Sequence, residues 1–144
     1  MKNIYLIILS FICFYSHSQF EESEGEQRWE VIGSKEDGTV FLKLQGSNLY
    51  KFSFKNYHNS NNKIIQSIYF NSTNTDITNL NNFLLNSFDL TESVSTSLKI
   101  DKYEFQVSKS DDYLKVNIIS NESKESIGWM PFTKKDINNL FGKY

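Results

Sequence analysis

The side chain best suited to acid–base chemistry in this sequence is His58, which lies in a polar stretch, residues 56–62, with Ser60 close by. An imidazole near a hydroxyl can activate a serine nucleophile when a carboxylate orients the ring. The G-x-S-x-G turn that presents such a serine in one large enzyme class is not found here. The sequence therefore favours a solvated loop histidine, and no catalytic residue is predicted.

Beyond the acidic segment at 19–27, carboxylates form two tight clusters, Asp111-Asp112 and Glu36-Asp37. Neither has the spacing of a calcium-binding loop, so no metal site is predicted. A small hydrolase with paired carboxylates remains an alternative, because such a pair is assembled in space and its spacing along the chain is free. Acidic turn residues that bond to their own backbone are the favoured interpretation.

The first eighteen residues predict a secretory signal peptide. Lys2 supplies a positive start, residues 4–15 are apolar except for one serine, and small residues precede a cleavage point after Ser18. The apolar run is too short to span a membrane as a helix. Lipidation at Cys13 is a disfavoured alternative, since Ile12 precedes this cysteine in place of a small residue. We expect an exported protein, periplasmic or secreted, with no transmembrane segment after cleavage.

Export would also remove most reactive side chains. The one cysteine, Cys13, and one of the two histidines, His17, lie inside the predicted signal. A mature chain without thiols has no disulfide, no thiolate nucleophile and no cysteine-bound metal, and we predict no cofactor. The whole sequence has 15 basic and 17 acidic residues, a balance that gives no general attraction to nucleic acid.

A dense aromatic patch ends the apolar pattern near the C-terminus, where Trp129, Met130 and Phe132 follow Gly128. Tryptophan offers a large contact area and a hydrogen-bond donor, so these three residues are candidates for contact with a protein or a glycan. Core packing is the favoured alternative for the patch, because large apolar side chains are usually buried.

Lys51 and Lys55 suggest a second candidate surface. Residues 38–74 contain no Asp or Glu, and the two lysines alternate with Tyr50, Phe52 and Phe54 along one predicted strand. A basic sheet face with aromatic residues can bind a polyanion or single-stranded nucleic acid. The predicted export and the single arginine disfavour nucleic acid. A solvated lysine face that discourages pairing with another strand is the simpler alternative.

Short alternating runs and two stripes of period three to four predict the elements that position these residues. The stripes are Ile77-Leu80-Leu84-Phe88, with Asn74 or Thr75 as cap, and Ile137-Leu140-Phe141, which follows a capping box at Thr133 and precedes Gly142. The predicted strands are residues 29–32, 39–44, 49–55, 64–70, 94–100, 103–108, 114–118 and 127–132.

The two halves share one plan. Residues 76–80 (DITNL) and 136–140 (DINNL) match in pattern, which indicates two units of four strands and a helix over residues 28–88 and 94–142. The predicted fold class is α+β: a single domain over residues 28–144, after a flexible acidic segment at 19–27, with a mainly antiparallel sheet and two helices. Pairing of the units would give one larger sheet with one face exposed. A non-catalytic extracytoplasmic binding or protein-interaction module is the predicted function.

Overall fold

The computed structural model describes residues 28–58 and 65–142, which form two antiparallel four-stranded sheets and two α-helices. The predicted signal peptide (1–18), the acidic segment (19–27), residues 59–64 and the last two residues lie outside the described residues. The elements are β1 (Glu30–Ser34), β2 (Val40–Gln45), β3 (Leu49–Lys55), β4 (Ile65–Asn71), α1 (Asn74–Asn86), a 3-10 turn (Ser87–Asp89), β5 (Ser95–Ile100), β6 (Tyr103–Ser110), β7 (Tyr113–Ser120), β8 (Ser126–Phe132) and α2 (Lys134–Leu140).

Each sheet is a simple meander, with strand orders β1-β2-β3-β4 and β5-β6-β7-β8 and every neighbouring pair antiparallel. This architecture confirms the α+β class and the two four-strand-plus-helix units. The units form two separate sheets, however, instead of pairing edge to edge into one larger sheet. Gly38, which follows Asp37 in the turn between β1 and β2, has a left-handed backbone conformation with a φ of 67°.

The two sheets meet through their apolar faces. Phe105 of β6 packs its ring edge-on against Phe52 and Phe70 of the first sheet, with centroids 6.0 and 6.4 Å apart. Alternate residues of each strand point into this one core, as the period of two predicts. Ile77, Leu84 and other apolar residues of the two helices complete it. A single core therefore belongs to both units.

Both helices begin with a capping box. In α1 the cap is Thr73, one or two residues before the predicted Asn74 or Thr75. Thr73 Oγ1 accepts a hydrogen bond from the Asp76 backbone N–H at 3.1 Å, and Asp76 Oδ2 accepts one from the Thr73 backbone N–H at 3.1 Å. Asn74 instead accepts a hydrogen bond from the Tyr50 hydroxyl at 2.8 Å, which ties the helix start to β3.

Lys35 joins the first unit to the second at the end of β1. Its Nζ donates to the Pro131 carbonyl at 3.2 Å and lies 3.8 Å from Asp136 Oδ2 and 3.4 Å from Asp37 Oδ2. The lysine side chain is 12 % exposed, so the contact with Asp136 is screened less than a surface ion pair. Lys35 thereby holds the start of α2 and the end of β8 against the first hairpin.

The backbones of the two units approach each other closely at Gly33. The register of β1 shifts between Val31 and Gly33, a bulge that turns Gly33 toward the last turn of α2. A Cβ atom at Gly33 would lie 2.6 Å from the Leu140 carbonyl carbon. Since backbone atoms cannot move aside as a flexible side chain can, only glycine permits this approach.

Replacing Gly33 by alanine should lower the free energy of unfolding by about 2–3 kcal/mol, because the new methyl group must push α2 away from β1. Urea denaturation followed by circular dichroism measures this difference. Ser34→Ala, at the neighbouring position on the same strand, serves as the matched control and should change stability much less. Equal stability of Gly33→Ala and the unmodified protein would contradict the close contact.

The capping box of α1 should make stability depend on pH. Hydrogen bonds from Thr73 lower the pKa of Asp76 below 3.8. A carboxyl with a depressed pKa stabilises the fold when ionised, and this contribution disappears as the pH falls through the folded-state pKa. Asp76→Asn should therefore be less stable than the unmodified protein at pH 7, and the difference should shrink as the pH falls below 3.8. Thermal unfolding measured across pH 2–7 checks this; a difference that is constant with pH would contradict it.

Candidate functional site: a polar trough on the second sheet

A cavity of about 350 Å³ lies on the face of the second sheet that points away from the core. We call this cavity the polar trough. It is lined by His58, Ser95, Gln106, Ser108, Lys115, Asn117, Ser126 and Trp129. Seven of these eight residues belong to strands β5–β8, and the eighth, His58, comes from the first unit. The trough is therefore completed by both halves of the chain.

Strand register explains why these residues meet. Asn117 of β7 pairs with Gln106 of β6 on one side and with Trp129 of β8 on the other. These three side chains form one row across the outer face of the sheet. Ser108 and Lys115 pair in the next row. Because side chains alternate along a strand, the residues between these outward positions point into the core.

Trp129 forms the aromatic wall of the trough. Its side chain is half-buried, with the Tyr57 ring at a centroid distance of 5.5 Å and the Lys115 Nζ 4.8 Å from its ring centroid. A cation this close to an indole is attracted by the negative face of the ring. The contacts fix the indole beside the polar row instead of leaving it to turn freely.

Asn56 attaches the His58 loop to β8. Its Nδ2 donates to the Ile127 carbonyl at 3.2 Å, and its Oδ1 accepts from the backbone N–H groups of Trp129 at 3.3 Å and His58 at 2.9 Å. The Tyr57 backbone N–H also donates to the Trp129 carbonyl at 3.0 Å. One amide side chain thus satisfies three backbone groups and positions the loop.

Gly128 leaves the space that Asn56 occupies. A Cβ atom built on Gly128 would lie 2.5 Å from Asn56 Cγ. Any larger residue at this position would push the asparagine amide from its place between the two units. Gly128 and Trp129 therefore both shape the trough. Gly128 leaves room for the Asn56 side chain that attaches the His58 loop, and Trp129 forms the aromatic wall.

Several lining side chains have hydrogen-bonding groups available to a ligand. Within residues 28–58 and 65–142, the side chains of Gln106, Ser108 and His58 form no hydrogen bond with another described residue. Asn117 Oδ1 accepts a hydrogen bond from Ser126 Oγ, which leaves the amide N–H₂ of Asn117 unused in that contact. Lys115 is the one charged residue of the described lining. The trough thus combines an aromatic wall with neutral donors and acceptors.

The aromatic patch predicted from the sequence divides between two environments. Trp129 lines the trough, whereas Met130 and Phe132 are 0 % and 1 % exposed and lie in the core. Alternation along β8 separates them: residues 130 and 132 face inward when 129 faces outward. Met130 and Phe132 are therefore not available to a ligand on the outer face, and their place in the candidate site is corrected to that of supporting core residues.

Lys51 and Lys55 lie elsewhere, on the outer face of the first sheet. The residues that alternate with them along β3 point to the opposite face, into the core: Tyr50, Phe52 and Phe54. His58, treated above as a solvated loop residue, is exposed and contributes one wall of the trough. The structure brings His58 and Trp129 together and leaves the two lysines on a separate surface.

The clustered carboxylates Glu36 and Asp37 both contact lysines, and the lysine paired with Glu36 lies in the second unit. Desolvation opposes ionisation of Asp37, but hydrogen bonds from Thr39 and the charge of Lys35 outweigh it and lower the pKa of this carboxyl. Glu36 pairs with Lys135 at 2.6 Å. Asp111 and Asp112 line another open cavity, of about 420 Å³, together with three lysines. Among the described residues, no three His, Cys, Asp or Glu side chains are grouped as a metal ion would need.

Gln106, Ser108, Asn117 and Lys115 were not singled out from the sequence. Each is an outward residue of a strand whose inward residues were recognised by their apolar pattern. Polar outward residues are ordinary on a wet sheet face. Only the register of β6, β7 and β8 shows that these residues surround a tryptophan.

Comparison with protein-family models, curated proteins and solved structures finds no match for this chain. Within the described part of the chain, neither helix has the length and apolar character needed to cross a bilayer. The candidate site therefore rests on the geometry of its own residues.

Asn56→Ala tests the attachment of the loop. Removing this amide should leave backbone groups of Trp129, His58 and Ile127 without their partner and should lower the free energy of unfolding by about 1–3 kcal/mol. Hydrogen–deuterium exchange at residues 56–58 should rise in the same variant. Asn79→Ala, on the exposed side of α1, provides the control. Unchanged exchange at residues 56–58 in Asn56→Ala would contradict the attachment of the loop by Asn56.

Proposed function

We propose that this chain is a non-catalytic extracytoplasmic binding protein that holds a neutral part of a glycan in the polar trough. One observation carries the proposal: Trp129 stands in one open cavity beside amide and hydroxyl side chains that have no hydrogen-bond partner among the described residues. The extracytoplasmic location is part of the proposal and is supported by the signal-peptide pattern of residues 1–18.

The side chains of the trough suit the two kinds of surface that a sugar ring has. Hydroxyl groups around the ring edge can exchange hydrogen bonds with Gln106, Ser108 and Asn117, which act as donors and acceptors. The apolar C–H groups can pack against the part of Trp129 that lines the trough, beside Lys115. A ligand with both surfaces would contact the aromatic wall and the neutral polar groups of the lining together.

The size of the trough sets a limit on the ligand. A volume of about 350 Å³ is near the lower end of the range for small-molecule sites, about 300–1,000 Å³. This volume accommodates about one or two sugar rings. The cavity is open to solvent, so a longer glycan could extend beyond it. The trough would then recognise a unit within a chain.

The lining favours a glycan over a protein partner. The centre of a protein interface is usually apolar and depleted of charge, with polar residues at the rim. In the trough the order is reversed, because Gln106, Asn117 and Ser108 lie at the centre and Trp129 stands at one side. This arrangement supports recognition through hydrogen bonds.

Binding is also better supported than cleavage. A glycoside hydrolase of the usual kind holds two carboxyl groups on either side of the bond that breaks, and the described lining of the trough includes no carboxyl group. The clustered acids Glu36 and Asp37 are paired with lysines at a distance from it. The carboxylate-dependent hydrolase consequently remains the weaker alternative.

Gln106→Ala should weaken glycan binding at least about tenfold, since a buried polar contact is worth about 1.4 kcal/mol or more in the complex. The protein lacking residues 1–18 would be screened on an array of neutral oligosaccharides, and the best ligand titrated by calorimetry. Trp129→Ala should abolish the binding. Trp29→Ala, which removes a half-buried tryptophan outside the trough, should retain it.

Two results would contradict the proposed function. Binding that survives both Gln106→Ala and Trp129→Ala would place the ligand outside the trough. Release of new reducing ends from the bound oligosaccharide, lost on substitution of an acidic residue, would favour the hydrolase. Thermal unfolding of each variant separates loss of binding from loss of the fold.

A further inference from the structure

The outer face of the first sheet carries positive charge without acidic neighbours. The strand rows on this face contain Val31, Ser34, Phe41, Lys43, Gln45, Leu49, Lys51, Ser53, Lys55, Ile65, Ser67, Tyr69 and Asn71. No carboxylate occurs in these described rows, and we call the surface of Lys43, Lys51 and Lys55 the cationic face. Three lysines, with no carboxylate among the described residues of these rows, therefore share one side of this sheet.

The arrangement of the lysines is unfavourable for the isolated protein. Lys43 of β2 is the direct cross-strand partner of Lys51 of β3, and like charges in such a pair repel each other. Neither of these lysines, nor Lys55, forms an ion pair with a described carboxylate. An anionic ligand would offset the repulsion between these lysines, and this relief would strengthen its binding.

Aromatic rings hold the ammonium groups at the surface without neutralising them. Lys51 Nζ lies 5.3 Å from the Tyr69 ring centroid and 5.9 Å from that of Trp29, and the two rings are 6.0 Å apart. Lys43 Nζ lies 5.9 Å from the Phe41 ring. Since a cation–π contact leaves the charge in place, the face remains available to an anion.

We infer that the cationic face binds an anionic polysaccharide. Lys51 and Lys55 are four residues apart on β3, a separation of about 13 Å along an extended strand, and Lys43 lies beside Lys51. Charges distributed over this length match a ligand with repeated anionic groups better than a single small anion. Sulfate or carboxylate groups on successive sugars supply such a pattern.

The choice of a polysaccharide rests on the proposed function. Tyr57 borders both surfaces, because Lys55 Nζ lies 5.6 Å from its ring and Trp129 contacts it at 5.5 Å. A charged chain on the lysines would therefore pass close to the polar trough. The cationic face supplies electrostatic attraction, and the trough supplies the hydrogen bonds that distinguish one sugar from another.

Two other macromolecular occupants fit the face less well. Single-stranded nucleic acid binds such surfaces by stacking its bases on open rings, whereas Lys51 lies over Trp29 and Tyr69. A second copy of this chain in a symmetric dimer would place lysines against lysines. The acidic residues at 21–26 are a third possible occupant, from within the chain, and the experiment separates all three.

The test uses the protein lacking residues 1–18 and a heparin hexasaccharide as the probe, with affinity measured by calorimetry at two salt concentrations. Lys43→Gln/Lys51→Gln should weaken binding at least about tenfold. Raising NaCl from about 50 to about 200 mM should weaken binding to the unmodified protein by a similar factor. The matched control is Lys99→Gln/Lys102→Gln, which removes the same charge from exposed positions on the second unit.

Equal weakening by the two lysine pairs would overturn the inference, because net charge alone would then explain binding. Tighter binding to an oligothymidylate than to heparin would assign the face to nucleic acid. Heparin binding that requires removal of residues 19–27 would assign it to the acidic segment, and dimerisation in analytical ultracentrifugation that is lost in Lys43→Gln/Lys51→Gln would assign it to a second copy.

Failure here is distinguishable from failure of the proposed function. A protein that binds a neutral oligosaccharide through Gln106 but does not bind heparin would contradict only the cationic face. A protein that binds heparin through Lys43 and Lys51 but binds no neutral oligosaccharide would contradict only the trough. Both lysine variants should remain folded, because the substituted side chains lie at the surface.

Discussion

Burial of one face of each sheet against the other is the constraint on which the rest of this structure depends. The apolar face of a four-stranded meander must be covered by another element, and one short helix covers only part of that face. Where Phe105 packs on Phe52 and Phe70, the apolar faces of the two sheets cover each other. Because the inner faces are used in this way, both outer faces remain exposed to solvent.

The two outer faces differ in chemistry although the units share a plan. The first presents lysines among aromatic rings, and the second presents amides and hydroxyls beside a tryptophan. They are connected where the chain leaves β3, since Asn56 and Tyr57 lie along the β8 strand. The connection makes the proposed binding surface span both units, because neither unit alone would contain all of it.

Sequence patterns were sufficient to predict the strands and helices, because alternation and capping signals are local. The two DI-x-NL segments mark the starts of both helices, and the predicted capping box at Thr133 is present. The cap of α1 was predicted at Asn74 or Thr75 because both residue types are good caps. In the structure the cap is Thr73, and the Asn74 side chain instead accepts a hydrogen bond from Tyr50, a tertiary contact that the local pattern does not contain. The association of the units through their faces likewise depends on tertiary contacts that no single strand reveals.

The candidate site was much harder to predict than the fold. Trp129 stood out by its type, but its neighbours Gln106 and Asn117 are ordinary polar residues, and only strand register brings them together.

The two halves also differ locally although their patterns match. Asn81 follows Leu80 where Phe141 follows Leu140, and this asparagine is 1 % exposed with both amide atoms unpaired among the described residues. Such a position costs stability and would not be expected from the pattern.

The packing of α2 on β1 has a consequence for the ends of the domain. Gly142, with a φ of 64°, lies where a Cβ atom would be 3.0 Å from the Ile32 carbonyl oxygen. The first strand and the last helical turn of the described chain are thus neighbours. A circular permutant that joins these ends through a short linker, with new termini in another loop, would preserve the native contacts.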